Sequence, residues 1–245
     1  MSSATRATEP RIAWRRATVR EVIRETPSAS TLLLDVPGWP GHRAGQHADI
    51  RLTAEDGYRA QRSYSIATAP EDGEPAITVE RIDDGEVSPY LVDDVRPGDE
   101  LEIRGPVGGW FVWDVRDGGP LMLIAGGSGI VPLRSMLRHR ERAGSDAEAR
   151  LLLSARRPQD VIYADELASY GVTLTYTREA PTGWSGYARR VDRAMLAEVA
   201  FAPERQPRIY TCGSTGFVEA VAADLMAVGH HPDRIRIERF GATGG

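Results

Sequence analysis

The feature that most constrains this chain is a change of hydrophobic period at Asp117-Gly118-Gly119-Pro120. Before it, between Trp14 and Arg104, short runs of β-branched and alternating apolar residues are punctuated by Pro37-Gly38, Pro40-Gly41, Asp56-Gly57, Asp72-Gly73, Asp84-Gly85 and Pro97-Gly98. Each pair supplies the fixed or positive φ that a chain reversal needs. Antiparallel strands are therefore predicted near Ala17–Glu25, Thr31–Val36, Ala48–Leu52, Ser63–Ala67, Ile77–Ile82 and Glu100–Ile103, enough for a small six-stranded Greek-key β-barrel. Ser88-Pro89 predicts one helical turn through Asp93, with Ser88 as N-cap and Pro89 in the first helical position.

After the break, buried apolar strands alternate with helical stretches, the pattern of βαβ units around a parallel sheet. Strands are predicted at Leu121–Ala125, Arg150–Ala155, Thr173–Thr177, Ile209–Cys212 and Arg234–Ile237. Helices are predicted at Leu133–Arg142, Ala164–Ser169, Asp192–Glu198 and Phe217–Val228. The expected organisation is a disordered tail (1–12), a barrel domain (13–116) and a five-stranded parallel, doubly wound α/β domain (117–245). Such a pair of folds holds a ligand at its seam, because open parallel sheets bind at the carboxyl ends of their strands.

Composition narrows the classes. A chain of 245 residues with 41% hydrophobic and 27% charged residues is globular and long enough for two cores. Its longest apolar runs, such as Leu121–Ala125, are too short to span a bilayer, and the polar N-terminus lacks a signal-peptide core, so a cytoplasmic, membrane-free protein is expected. The net charge of −5 argues against nucleic acid. All 30 basic residues are arginine, which a GC-rich genome explains; a basic docking patch would be arginine-built. The single cysteine, Cys212, excludes an intrachain disulfide and a four-cysteine zinc or iron–sulfur site within these 245 residues. No metal is expected, and a monomer is.

Strand Leu121–Ala125 runs directly into Gly126-Gly127-Ser128-Gly129-Ile130-Val131-Pro132, with a helix to follow. Glycines let backbone N–H groups approach a pyrophosphate, and the helix N-terminus adds partial positive charge. Pro132 stands where the third glycine of a GxGxxG motif would fall, and a tight structural turn is the competing reading. The next strand ends in Arg156-Arg157, where an NAD-specific enzyme carries an acid. Either arginine can grip a 2′-phosphate bidentately, which favours NADPH over NADH; two solvated loop arginines are the alternative.

In the barrel half, strand alternation in Arg62-Ser63-Tyr64-Ser65-Ile66 puts Tyr64 on one face and Ser63 and Ser65 on the other. Tyr64 could pack on an isoalloxazine ring, Arg62 could neutralise a pyrophosphate and Ser65 could hydrogen-bond a flavin near N5. Without further context, the run is a half-buried strand with a polar face.

The ordered set Arg62-x-Tyr64-Ser65, Val79-Glu80-Arg81, Gly85-x-Val87-Ser88, Gly105-Pro106-x-Gly108, Gly126-Gly127-x-Gly129-x-x-Pro132 and Cys212-Gly213 resembles the ferredoxin–NADP reductase superfamily across almost the whole chain. The resemblance implies FAD between the domains, with Tyr64 on the ring, Arg62 on the pyrophosphate, Ser63 and Ser65 among the FAD contacts, Val79 and Arg81 lining the flavin, and Gly85 to Ser88 offering N–H groups to its phosphates. It implies NADPH or NADH on Gly126, Gly127, Gly129, Pro132, Arg156, Arg157 and Gly213. Cys212 would position the nicotinamide and not attack, although a buried structural cysteine fits as well. Ser65, Cys212 and Glu238 form the expected catalytic set. Phe240 is placed over the flavin face opposite Tyr64, although a glycine-rich tail follows where family members end on tyrosine.

The implied function is hydride transfer from NAD(P)H to bound FAD, then electron delivery to a separate redox partner protein, a ferredoxin or an oxygenase or oxidase component. A diffusible flavin or quinone acceptor, a free-flavin reductase and a non-catalytic adaptor keeping the fold are the alternatives. His42 and His47 read as turn caps or packed residues before flavin contacts. His139, His230 and His231 read as surface residues at helix ends, and Trp184 as a loop anchor.

Overall fold

The structure, a computed structural model, describes residues 12–54 and 56–240. The tail expected at 1–12, apart from Ile12, and the glycine-rich end at 241–245 lie outside these residues. Strands β1 (Trp14–Thr26), β2 (Ala29–Asp35), β3 (His47–Thr53), β4 (Arg59–Ser65), β5 (Ala76–Glu80) and β6 (Glu100–Val107) form one antiparallel sheet in the order β4-β3-β6-β1-β2-β5. The two edge strands meet at a single corner, where Ile66 bridges Ile77 and the Ala67 N–H donates to Ala76 O at 2.7 Å. The sheet is thus a curled half-barrel closed at one end. Its inside is filled by alternating positions, among them Leu32, Leu34, Ile50, Ile66, Ile77 and Ile103, all fully buried; each such side chain contributes about 1.5–3 kcal/mol of transfer free energy.

Strands β7 (Leu121–Gly126), β8 (Ala149–Ala155), β9 (Thr173–Tyr176), β10 (Arg208–Ser214) and β11 (Ile235–Phe240) make a parallel sheet in the order β11-β10-β7-β8-β9. Helices α1 (Ile130–Arg142), α2 (Ala164–Ala168), α3 (Arg193–Val199) and α4 (Thr215–Ala227) complete it. β7 is apolar at every position because both its faces are covered: Leu121, Leu123 and Ala125 join one core and Met122 and Ile124 another. The chain winds outward from β7 through β8 and β9 on one side, then returns through β10 and β11 on the other. The carboxyl end of β7 is therefore the topological switch point, the place where open α/β sheets bind ligands.

α1 fastens this sheet to the half-barrel. Ser135 Oγ donates to Thr68 O at 2.6 Å, Arg134 Nη1 to Ala67 O at 3.3 Å, and His139 Nδ1 lies 2.7 Å from Glu71 Oε1. Tyr163 reaches across to bond Thr78 of β5, with the Arg134 guanidinium 4.0 Å from its ring centroid. His139 is thus a buried interdomain residue, correcting its placement at the surface; one helix face bears Arg134, Ser135 and His139, and that face is docked. His230 is buried as well, while His231 is exposed and caps the Asp233 N–H.

The predicted cap at Ser88 also fails. The turn spans Tyr90–Asp94, with Pro89 before it, and Ser88 Oγ instead accepts the Ile82 N–H at 3.0 Å. That bond folds the 82–88 loop onto itself. Asp192, by contrast, caps α3 and does not begin it, its Oδ1 accepting the Met195 N–H at 2.8 Å.

Candidate active site

The glycine turn after β7 is built for close approach. A Cβ on Gly129 would lie 2.0 Å from Cys212 O, so only glycine lets the start of α1 pass this near to β10. A Cβ on Gly126 or Gly213 would meet the Phe217 ring at 3.0 or 2.8 Å. Gly127 adopts φ +55°, turning the chain from strand into helix. No side chain caps the α1 N-terminus, and Ile130, Val131 and Pro132 anchor its first turn in the core. The Ile130 N–H that opens α1 is spent on Gly127 O, so an anion would be met by the glycine turn ahead of it, where the helix dipole adds attraction.

Strand register then assembles the catalytic set beside that turn. Cys212 of β10 pairs with Ala125 of β7 on one side and Glu238 of β11 on the other. Its thiol, fully buried, donates to Glu238 Oε2 at 3.7 Å. Burial first, and the neighbouring carboxylate second, push that thiol well above its ordinary pKa, so Cys212 is a neutral packing group and no nucleophile. Burial likewise pushes the Glu238 carboxyl up to about 7, with Cys212 and Ser65 acting weakly in the opposite direction.

Ser65 comes from the other domain. Its Oγ is buried beside Glu238 yet forms no hydrogen bond, since proximity there is not matched by bonding geometry. A buried hydroxyl without a partner is costly unless something else supplies one. His47, directly opposite Ser65 in the β3–β4 ladder, completes the cluster, with Nδ1 4.0 Å from Glu238 Oε1. Ser65 and Cys212–Glu238 thus converge from two sheets at the switch point. His47 is the member the sequence reading leaves outside.

Other expected contacts are placed differently. Ser63 Oγ is committed to Asp49 at 2.5 Å, which Arg104 also holds at 2.6 Å, so Ser63 is part of a barrel-surface network. The Val79 and Val87 side chains are fully buried in the barrel core, leaving only their backbones to meet a ligand. The Gly85 N–H is spent on Ile82 O at 2.9 Å, which removes it from the phosphate-binding set. Arg62 meets Glu86 at 3.4 Å, whose carboxylate also accepts from Tyr58 at 2.9 Å, and Arg81 pairs with Asp93 at 2.7 Å. Tyr64 is half-buried against the barrel core, and burial lifts its phenol far above the ordinary value. Phe240 ends β11 opposite Ser214 and packs on the parallel-sheet core.

At the far side of the carboxyl edge, Arg156 is exposed and Arg157 lies 3.7 Å from Glu179. The Arg178 N–H donates to Arg156 O, so three arginines and one carboxylate border the end of β8. Trp184 anchors the 181–187 loop, with Nε1 donating to Tyr187 O at 3.0 Å and its ring edge-on to Tyr176. Among the described residues no three His, Cys, Asp or Glu side chains are grouped to hold a metal, and no helix is long and apolar enough to cross a membrane.

The residues present fit both cofactors: an unpartnered buried hydroxyl at the seam suits a flavin, and an uncapped glycine turn suits a pyrophosphate. Comparison with known proteins agrees. An oxidoreductase FAD-binding domain matches residues 18–112 and an oxidoreductase NAD-binding domain residues 123–223. NADH oxidoreductase HCR of Escherichia coli is 34% identical over 88% of the chain and 65% of its own length. A glycine betaine monooxygenase reductase subunit of Chromohalobacter salexigens is 32% identical over 91% and 63%. Ferredoxin–NADP reductase B of Sorangium cellulosum is 35% identical over 73% and 76%. The FAD/NAD-binding domain of a Vibrio cholerae nitric oxide dioxygenase superposes with a TM-score of 0.82 at 26% identity, covering 93% of this chain and 98% of that one.

Fold, site and matches define an FAD- and NAD(P)-binding flavoprotein oxidoreductase. The chain belongs to the ferredoxin–NADP reductase superfamily. It spans just under two thirds of the length of the first two relatives named above.

Proposed function

We propose that this chain, dividing near residue 117 into FAD- and NAD(P)-binding domains, is the reductase of an electron-transfer system. FAD supplies the chemistry, accepting hydride from NAD(P)H and passing electrons to a separate protein. The observation that carries the reading is the Ser65–Glu238–Cys212 convergence: an unpartnered hydroxyl from the flavin-binding half faces a carboxyl and a neutral thiol from the nucleotide-binding half.

In this reading Tyr64 and Ser65 border the flavin ring, while Arg62, Arg81 and the backbone of 86–88 border its phosphates. The glycine turn and the α1 N-terminus take the dinucleotide pyrophosphate. Cys212, held neutral, fixes the nicotinamide edge without attacking it, and Phe240 flanks the ring from β11. Three arginines around one carboxylate at the end of β8 support NADPH as the preferred donor. The name of the Chromohalobacter relative supports an oxygenase component as the acceptor, and that of the Sorangium relative a ferredoxin.

Anaerobic titration of the purified chain with NADPH and with NADH, followed at the flavin absorbance bands, tests this. Stoichiometric bleaching, faster with NADPH, and recovery of colour on adding a one-electron acceptor are expected. A colourless protein that binds no added FAD would overturn the reading, and flavin lost on gel filtration would make it a free-flavin reductase.

A further inference from the structure

We infer that Glu86 and Asp83 are internal competitors for the FAD diphosphate: their carboxylates hold Arg62 and Arg81, so cofactor affinity is set by an exchange of anions on these two arginines. The inference rests on the reading above that Arg62 and Arg81 border the phosphates.

The segment 82–93 carries Asp83, Asp84, Glu86 and Asp93 and no basic residue. A loop that meets a diphosphate through its backbone gains nothing from carboxylates, which repel the same anion. Three of these four carboxylates are turned onto arginines instead. Glu86 Oε2 lies 3.4 Å from Arg62 Nη2, and Tyr58 holds the other oxygen, its OH donating to Oε1 at 2.9 Å. Arg81 is engaged twice, by Asp83 at Nη1 and by Asp93 at Nε, the latter at 2.7 Å. Both guanidiniums that the site offers to phosphate are thus already paired with carboxylates of one segment.

The loop presents Glu86 from a fixed frame. Ser88 Oγ accepts the Ile82 N–H at 3.0 Å, the Gly85 N–H donates to Ile82 O at 2.9 Å, and the Leu91 N–H donates to Val87 O at 3.1 Å. Val87 is fully buried and Ser88 nearly so. A Cβ on Gly85 would lie 2.9 Å from Ser88 Oγ and 3.0 Å from Ile82 O, so the turn has no slack. Glu86 therefore leaves Arg62 by rotating its side chain, which the exposure of the pair permits: 50% for Glu86 and 47% for Arg62. Pairs this exposed are weak and screened by salt, so the carboxylates temper binding and do not block it. Each guanidinium makes stronger, bidentate bonds to a phosphate, which drives the exchange toward the cofactor.

Serial dilution of the flavin-loaded chain, with the fluorescence of released FAD read at equilibrium, gives the dissociation constant without any turnover. Arg62→Ala should raise it at least about tenfold. Glu86→Gln should lower it about two- to fivefold, and Glu86→Gln with Asp83→Asn should lower it further, because the amides keep the shape and lose the charge. In an Arg62→Ala background Glu86→Gln should change nothing, since no guanidinium is left to release. An unchanged or raised constant in Glu86→Gln, while Arg62→Ala still weakens FAD, would overturn the competition alone. A gain that survives Arg62→Ala would overturn it too, because Glu86 would then act on the diphosphate by direct repulsion. An unchanged constant in Arg62→Ala would instead overturn the reading that places the diphosphate on these arginines.

Discussion

Glu238→Gln isolates the energetic consequence of burying a carboxyl between Cys212, Ser65 and His47. In the folded chain this group titrates at about 7, against an ordinary 4.5. At 1.36 kcal/mol per pH interval, forcing it to ionise costs the fold about 3 kcal/mol, trimmed to about 2–3 kcal/mol because solvent reaches part of the side chain. The sign follows from proton counting. Between pH 4.5 and 7 the folded state holds this proton more tightly than the unfolded state, so stability falls as pH rises through that window. Glutamine, of the same shape and unable to ionise, abolishes the fall. Urea unfolding of both proteins at equal flavin content, from pH 4.5 to 8.5, should show curves that coincide at the acid end. They should separate by about 2–3 kcal/mol in favour of the variant above pH 7.5. A constant difference across the range, or a less stable variant at high pH, would refute the reasoning, because either would mean that the carboxyl is not desolvated.

Two further substitutions probe the nucleotide side. Gly129→Ala places a methyl group 2.0 Å from the Cys212 carbonyl, between two backbones that cannot yield; a loss of more than about 3 kcal/mol in urea unfolding is expected, and a loss under about 1 kcal/mol would show that α1 and β10 are not so close. Arg156→Ala and Arg157→Ala should raise KM for NADPH several-fold more than for NADH, with Arg156, which is free of the Glu179 contact, having the larger effect; equal effects on both donors would remove these residues from the 2′-phosphate site.

The sequence made the architecture legible because each half carries its own period: two-residue alternation with turn pairs before Asp117, and apolar strands with helical repeats after it. It also placed Cys212 and Glu238 near the ends of their strands, and the parallel register of the structure sets those ends side by side. What escaped were contacts that need two distant segments at once. Reflection of the β3–β4 hairpin about Asp56 pairs His47 with Ser65, so that signal is present in the sequence. No comparable signal announced that His139 meets Glu71, or that Glu86 engages Arg62, because loop docking follows packing and not period. Val79 and Ser63 illustrate the converse. A motif assigns them to a ligand, while strand alternation turns one into the core and the other to Asp49.

The most direct measurement is a crystal structure of the chain loaded with FAD. The account predicts the isoalloxazine in the seam, bordered by Tyr64, with Ser65 Oγ bonded to it and Glu238 and Cys212 facing it from the parallel sheet. FAD seated away from that seam, with Ser65 still unpartnered, would contradict it.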